Sequence, residues 1–236
     1  TMLAIVPVTK DTLRFVANIL ATGVDTLIRV SALADSDTVN SALTNSFRVL
    51  VQDQFTNPIS GTAITFSVFT SPSGSDSVGF VRSPGNFVTS LDTVTDNNGF
   101  ASLPFHLGTK VGNYIIRASN PALLNPVVYD TVFAVHGRPA DLQLISGNNQ
   151  TIQVGALTDT LRVLTLDRYG NIITDTTSAK IYWQTIHSGL LASDIGLVDA
   201  VAPGATGTGT FNVNGIDSAV TFTNGIGKAN WKVRRI

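Results

Sequence analysis

The stretch Phe47–Asp53 (FRVLVQD), which leads into Asn57, decides the fold because the chain contains a second copy of it. About 114 positions later, Leu161–Asp167 (LRVLTLD) leads into Asn171. Apolar residues that alternate with a period of two predict a half-buried β-strand, and the aspartate that ends it predicts a tight turn. A repeat of this length indicates two folding units of the same kind.

A second motif recurs further along each copy. Thr95–Ala101 (TDNNGFA) returns as Thr223–Ala229 (TNGIGKA), which matches Gly99 with Gly227. After this motif the first copy continues for about 36 residues and the second for seven. We therefore expect the second copy to lack the last two strands of its fold.

Three parts follow from the repeat. Residues 1–23 precede the first copy, and their Asp11–Val16 stretch resembles Asp130–Val135, the last predicted strand of that copy. We expect this segment to supply the final strands of a preceding or neighbouring sandwich. Residues 24–137 form the first domain, and residues 138–236 form the second domain, incomplete by two strands.

Composition points to a β protein and excludes several partners. All 16 acidic residues are aspartate, which favours turns over helices. The net charge of −1 offers no basic surface for nucleic acid. Cysteine is absent, so neither disulfides nor thiolate metal sites can form. No apolar run approaches the ~20 residues that a membrane span needs, so we expect no membrane insertion.

Short strand-like runs separated by Gly, Pro, Asn and Asp recur along both copies. Seven or so strands in about 110 residues are typical of an antiparallel sandwich. The predicted fold class is all-β, with tandem immunoglobulin-like β-sandwiches of which the C-terminal one is incomplete within the chain. Residues 70–90, which hold Ser, Pro and Gly, are predicted to form a long loop or an irregular edge, and residues 187–215 are predicted to form a long loop.

The turn residues resemble bacterial immunoglobulin-like domains of group 1, the invasin and intimin type. The first copy carries this resemblance through Asp53, Asn57, Pro58, Ile59, Gly61, Ile64, Phe66, Thr95, Asp96, Gly99, Ala101, Gly112, Tyr114, Ile116 and Ala118. The second copy carries it through Asp167, Gly170, Asn171, Ile181, Trp183, Thr223, Gly227 and Ala229. The chain departs from the family pattern at Thr56 in the first copy and at Ile172, Asp175 and Asn224 in the second. The resemblance implies rods and spacers that present other domains.

No arrangement of residues predicts catalysis, a cofactor or a metal. His106, His136 and His187 lie in unrelated contexts without metal-ligand spacing. The Asp92–Gly99 stretch lacks the alternating acids of an EF-hand, so turn capping is favoured over a calcium site. We expect no enzymatic activity.

Our leading hypothesis is a structural repeat unit of an extracellular filament or a cell-surface adhesin stalk. Neighbouring subunits or repeats would join head-to-tail through β-strand complementation, so the main partner is the chain itself. The predicted inter-subunit strand carries Leu3, Ile5, Leu13, Phe15 and Val16. The predicted acceptor domain carries Trp183, Trp231 and Val233. Burying the five apolar donors at ~1.5–3 kcal/mol each amounts to roughly 8–15 kcal/mol before ordering costs.

Two alternatives remain open on the sequence. The chain could be a ligand- or receptor-binding module of a surface or virion protein, which binds a host or surface receptor through the predicted loops 70–90 and 187–215. Residues 1–23 could instead pair with the first domain as an extra edge strand.

Overall fold

The computed structural model describes residues 2–5, 12–16, 23–30, 36–43, 46–175, 180–184, 196–201, 216–220 and 224–233. Throughout these ranges the chain forms strands, turns and irregular connections, and none of them contains a helix. The predicted all-β fold class is confirmed. Among the described residues there is accordingly no helix long and apolar enough to cross a bilayer.

The chain begins with an antiparallel pair, β1 (Met2–Ile5) and β2 (Thr12–Phe15). The first domain follows with eleven described strands, which are β3 (Thr26–Arg29), β4 (Ser36–Thr38), β5 (Phe47–Gln52), β6 (Ala63–Thr70), β7 (Gly79–Ser83), β8 (Asn86–Val88), β9 (Ser90–Val94), β10 (Phe100–Leu103), β11 (Phe105–His106), β12 (Gly112–Ser119) and β13 (Val127–Val135). The main sheets have the strand orders β10-β5-β3 and β4-β13-β12-β6-β9, and β11-β7-β8 form a smaller sheet.

The core of the first domain lies between its two main sheets. Phe47, Val49 and Val51 alternate toward it from β5 and are fully buried. Phe66 on β6 meets Phe47 edge to face, with ring centroids 5.5 Å apart. Tyr114 on β12 is also fully buried. Each such side chain contributes about 1.5–3 kcal/mol through burial, which makes this cluster the main stabilising element of the domain.

Residues 70–90 were predicted to form a long loop or an irregular edge, and the structure corrects this prediction at residues 79–83 and 86–88. Strands β7 and β8 form a hairpin there, with Phe80 paired to Val88. Phe80 is fully buried and its ring lies 5.7 Å from that of Phe66. A buried aromatic anchor turns a segment of loop-like composition into part of the core.

The second domain has six described strands, which are β14 (Pro139–Ser146), β15 (Leu161–Asp167), β16 (Lys180–Gln184), β17 (Gly196–Val201), β18 (Ile216–Val220) and β19 (Ile226–Val233). One sheet has the order β14-β15-β19-β17, and β16 pairs with β18 in a second sheet. Part of the predicted loop 187–215 is therefore strand β17, while residues 187–195 and 202–215 lie outside the described residues.

The structure corrects the match between the second motifs of the two copies. Gly99 and Gly225 occupy the same position, because their carbonyl oxygens accept hydrogen bonds from the amides of Val51 and Thr165 at 2.9 and 2.8 Å. Both glycines have positive φ, +77° and +75°. Gly227 therefore takes the place of Ala101, two residues away from the match that the residue letters suggested.

Strands β1 and β2 pair with each other, from Met2 opposite Phe15 to Ile5 opposite Thr12. Neither pairs with any other described strand. The alternative in which this segment adds an edge strand to the first domain does not agree with the described pairing.

Gly99 lies in a turn where an added side chain would meet backbone atoms of a neighbouring strand. Replacing it with Ala would place a Cβ atom 2.8 Å from the Val51 carbonyl oxygen and 2.9 Å from the Pro58 Cβ. At positive φ the substitution costs about 1–2 kcal/mol in backbone strain, and the overlap adds roughly 1–3 kcal/mol. We expect Gly99→Ala to lower the free energy of unfolding of the first domain by about 3 kcal/mol, measured by urea denaturation.

Gly61 provides the matched control. Its φ is +70°, but no atom lies within 4 Å of the added Cβ. We expect Gly61→Ala to lower the free energy of unfolding only by the backbone strain, which is about 1–2 kcal/mol. Equal losses for the two variants would contradict the assigned crowding at Gly99.

Candidate functional site: the inter-domain joint and the open edge

A buried aspartate organises the turn at the start of the second domain. The Oδ1 atom of Asp167 accepts hydrogen bonds from the amides of Tyr169 and Asn171 at 2.8 and 2.9 Å. Its Oδ2 atom accepts from the Asn171 side-chain amide and from the backbone amide of Gly137, both at 2.9 Å. Because Gly137 lies on the link between the domains, this carboxylate ties the link to the turn.

These hydrogen bonds determine the charge state of Asp167. Burial of the carboxyl would raise its pKa, but hydrogen bonds from Asn171, Gly137 and Tyr169 outweigh burial and hold the pKa below its ordinary value. The carboxylate therefore stays ionised at neutral pH although the residue is only 2% exposed.

The same turn contacts the first domain through the side chain of Asn171. Its Oδ1 atom accepts a hydrogen bond from the Val111 amide at 3.2 Å, and its Nδ2 atom donates to the Thr109 carbonyl oxygen at 2.8 Å. The Lys110 ammonium donates to the Tyr169 carbonyl oxygen at 2.7 Å. Three hydrogen bonds thus join the domains through the loop Thr109–Val111, and we call this contact the joint.

The core of the first domain holds this loop in place. The hydroxyl of buried Tyr114 donates to the Lys110 carbonyl oxygen at 2.7 Å and lies 2.6 Å from the Ser75 hydroxyl. Burial raises the pKa of Tyr114, so the phenol remains a proton donor. The Tyr169 side chain also packs against the core of the first domain. The joint therefore connects to a rigid core on one side and to a buried carboxylate on the other.

The residue pattern predicts turn formation for Asp167 and Asn171 but not their role between the domains. One feature of the sequence does indicate a contact at this turn. Both copies carry an aromatic residue two positions after the aspartate, Phe55 and Tyr169. An aromatic side chain in an otherwise polar turn needs a surface to cover it.

The donor residues predicted from the sequence lie on the hairpin β1–β2 or immediately after it. Leu3 and Ile5 are on β1, Leu13 and Phe15 are on β2, and their side chains lie outside the described part of the structure. Val16 follows β2 and is 66% exposed.

The predicted acceptor residues belong to two different sheets. Half-buried Trp183 is on β16, whereas Trp231 and Val233 are on β19. The indole N–H of Trp231 is buried without a hydrogen-bond partner among the described residues. The backbone of Val233 pairs with Gly196, and its side chain is not among those described. The three residues therefore lie on both sheets of the domain that is predicted to accept the strand.

Within the described residues, the second domain lacks the cover that the first domain has over its matching strand. Leu27 on β3 lies opposite Val51 and is 3% exposed, whereas Leu142 on β14 lies opposite Thr165, the counterpart of Val51, and is 52% exposed. A cleft of about 490 Å³ is lined by Leu142, Thr165, Ile181 and neighbouring residues of β14 and β16. Strand β13, which lies over β3 in the first domain, has no counterpart over β14 among the described residues.

Strand β16 is open at one edge for the same reason. Its counterpart β6 pairs with β9 on one side and with β12 on the other. Within the described residues β16 pairs only with β18. Backbone groups along its other edge have no strand partner there, which is the arrangement that accepts an added strand.

The described residues contain no group of three or more His, Cys, Asp or Glu side chains that could hold a metal ion. In the stretch Asp92–Gly99, where turn capping is favoured over a calcium site, Asp96 accepts hydrogen bonds from the amides of Asn98 and Phe100 at 2.8 and 3.0 Å. His106 stacks on Phe87, with ring centroids 4.0 Å apart. These polar residues are occupied by structural contacts.

No family model matches the chain, and no curated protein matches it. Among solved structures it is similar to FdeC, an adhesin of Escherichia coli, with 15% identity and a TM-score of 0.45 over 92% of this chain and 58% of that chain. It is also similar to invasin, a bacterial integrin-binding protein, with 15% identity and a TM-score of 0.38 over 89% of this chain and 34% of that one. A bacterial α2-macroglobulin from Escherichia coli aligns over 88% of this chain and 13% of its own length, with 12% identity and a TM-score of 0.33. The chain spans just over half of the first of these proteins.

The ionised carboxylate of Asp167 predicts that the second domain and its joint lose stability in acid. A carboxyl whose pKa is lower in the folded state stabilises the fold above its unfolded pKa of about 3.9 and loses that contribution as pH falls through the folded value. We expect the free energy of unfolding to decline below about pH 4, followed by the fluorescence of the two tryptophans, both in the second domain.

Asp167→Asn should destabilise the protein at pH 7 and flatten this decline. Asp92→Asn, at an exposed position on β9, is the matched control and should retain it. A decline of unchanged size in the Asp167→Asn variant would assign the acid sensitivity to another group.

Proposed function

We propose that this chain is a structural repeat unit of an extracellular filament or a surface adhesin stalk. Neighbouring subunits or repeats assemble head-to-tail, and a hairpin from one completes the open sandwich of the other. The role is non-enzymatic and needs no cofactor. The single observation that carries the proposal is the contrast between Leu27, which is covered by β13, and Leu142, which is exposed at the matching position.

The open region corresponds to two adjacent strands of the first domain. In the first domain two strands, β12 and β13, cover the corresponding region, and they pair along their length from Gly112 opposite Ala134 to Ser119 opposite Val127. An antiparallel pair inserted at β16 would satisfy the edge of that strand and cover Leu142. Apolar surface of this kind is costly to leave in water, at about 25 cal/mol per Å².

The hairpin β1–β2 is suited to be the donor. Its register places Ala4 opposite Leu13 and Ile5 opposite Thr12. The pair β12–β13 places Tyr114 opposite Val132 and Ile115 opposite Thr131. When Asp11–Val16 is matched to Asp130–Val135, as the residues suggest, β2 takes the position of β13 and its antiparallel partner β1 takes that of β12. The hairpin therefore supplies the two strand directions that this position uses in the first domain.

Completion in this manner joins unlike surfaces of two units. A contact between the beginning of one unit and the end of another is heterologous, so it propagates into a linear assembly rather than closing a dimer. The joint adds to this design, because hydrogen bonds between consecutive domains favour a stiff rod. A stiff rod is suited to a stalk outside the cell. The main partner of the chain is then another copy of itself, in a homopolymer or a tandem array.

A second candidate is a binding module for a host or surface receptor, and one observation favours it. Phe69, Tyr129 and Phe133 are exposed by 51%, 47% and 42%, and the first two meet edge to face at 5.1 Å. Exposed aromatic groups are typical anchors of binding surfaces. Replacing Phe69 and Tyr129 with Ser should abolish binding to a glycan or cell panel under this alternative and leave assembly unchanged.

Strand complementation predicts that a peptide covering residues 1–20 stabilises the second domain. The recipient is the full chain with Leu13→Asp and Phe15→Asp, which disables its own hairpin. At a peptide concentration 100-fold above the dissociation constant, the gain is about 2.7 kcal/mol. Urea unfolding followed by tryptophan fluorescence reports on this domain, because Trp183 and Trp231 are the only tryptophans.

The matched control is the same peptide with Leu13→Asp and Phe15→Asp, which should give no gain. The unsubstituted chain should form linear assemblies in electron micrographs, and the disabled chain should remain monomeric. A monomer that is fully stable and insensitive to the peptide would overturn strand complementation.

A further inference from the structure

The first domain carries the same turn that forms the joint in the second. The carboxylate of Asp53 accepts hydrogen bonds from the amides of Phe55 and Asn57, both at 2.9 Å, and from the Asn57 side chain at 3.1 Å. Asp167 receives the matching three bonds in the second domain. Thr56 adopts a positive φ of +66° where glycine stands in the other turn. The two turns therefore have the same backbone geometry.

They differ in what covers them. Tyr169 packs against the core of the first domain, whereas Phe55 is 63% exposed. Asn171 is 7% exposed and uses both ends of its amide to bind the loop Thr109–Val111. Asn57 is half-buried, and no described residue hydrogen-bonds to its Oδ1 atom. An exposed aromatic ring and an amide oxygen that has no donor among the described residues are thus presented on a turn of defined geometry.

The chain in front of this turn indicates what covers it. Gly23 stands in front of the first domain where Gly137 stands in front of the second, 114 residues apart like the two turns. The hairpin β1–β2 precedes Gly23 as β12–β13 precedes Gly137. In the joint, Asn171 binds the loop Thr109–Val111, which leads into β12. By the same arrangement, Asn57 would bind the loop that leads into β1. That loop belongs to the sandwich of which the hairpin β1–β2 is a part.

We propose that the turn Asp53–Asn57 is the docking surface for the immunoglobulin-like domain that contains the hairpin β1–β2. Phe55 covers the end of that domain's core, and the Asn57 amide binds the backbone of its loop, as Tyr169 and Asn171 do in the joint. Docking sets the angle between consecutive units, whereas strand complementation holds them together. The inference rests on the proposed function in one respect, which is that the hairpin is part of a preceding sandwich.

A tandem duplication tests this surface within one chain. Residues 24–137 are duplicated, so that residues 1–137 are followed by residues 24–236 and a known loop Thr109–Val111 precedes the turn in question. The chain has no cysteine, so spin labels attach only where cysteine is introduced. One label pair, Thr131→Cys in the second duplicate and Thr174→Cys, reports on the joint. The other pair, Thr131→Cys in the first duplicate and Ser60→Cys in the second, reports on the proposed contact.

We expect a narrow distance distribution for both pairs in double electron–electron resonance. Phe55→Ala or Asn57→Ala in the second duplicate should abolish the narrow peak for the proposed contact and preserve it at the joint. Gln54→Ala, an exposed change in the same turn, should affect neither, and Asn171→Ala should affect only the joint. Because Phe55 is exposed, its replacement leaves the fold intact.

A distribution at the proposed contact that is equally broad with and without Asn57→Ala would overturn the inference. This outcome leaves the proposed function standing, because the duplication links the domains covalently and the peptide experiment tests strand complementation separately. A negative peptide experiment with a narrow distribution here would retain the docking surface and remove the assembly by strand exchange.

Discussion

The constraint on which this structure depends is that each sheet of a sandwich must be covered by the other. Strand β13 lies over β3 in the first domain, and an ion pair at 2.7 Å between Arg29 and the buried carboxylate of Asp130 fastens the two strands. Leu27 is buried beneath this cover. The second domain repeats the underlying sheet, but Leu142 faces an open cleft. The same local structure has a covered core in one copy and, among the described residues, an uncovered cleft in the other.

The joint shows how a folding signal can also serve between domains. Asp167 shapes a turn through bonds within its own domain and, through Gly137, fixes the link to the domain before it. Asn171 extends the same network to backbone groups of the first domain. Since buried hydrogen bonds to charged groups are about twice as strong as neutral ones, ionised Asp167 is a suitable centre for this network. Orientation and folding therefore depend on one carboxylate.

Much of the fold could be predicted from residue order. Alternation along Phe47–Val51, the turn after Asp53 and the resemblance of Asp11–Val16 to a terminal strand depend on local preferences, and the corresponding strands are present. The predictions that failed depended on distant partners. Residues 70–90 have a loop-like composition, but Phe80 inserts into a core formed by other strands. Gly99 was matched with Gly227 instead of Gly225 because the stretch Gly225–Gly227 offers two glycines and only backbone pairing distinguishes them.

The candidate site likewise has features that the sequence predicts and features that only the tertiary structure shows. The amino-acid sequence by itself determined the two repeats, the β class and the Asp–x–aromatic–x–Asn turns, because alternation and turn chemistry act over a few neighbouring residues. Only the tertiary structure decided that Asn171 binds Thr109 and Val111 and that Leu142 is uncovered. A side chain that binds backbone groups places no requirement on the identity of its partner. Exposure depends on strands far away in the chain, so neither feature can be recognised from the local residues.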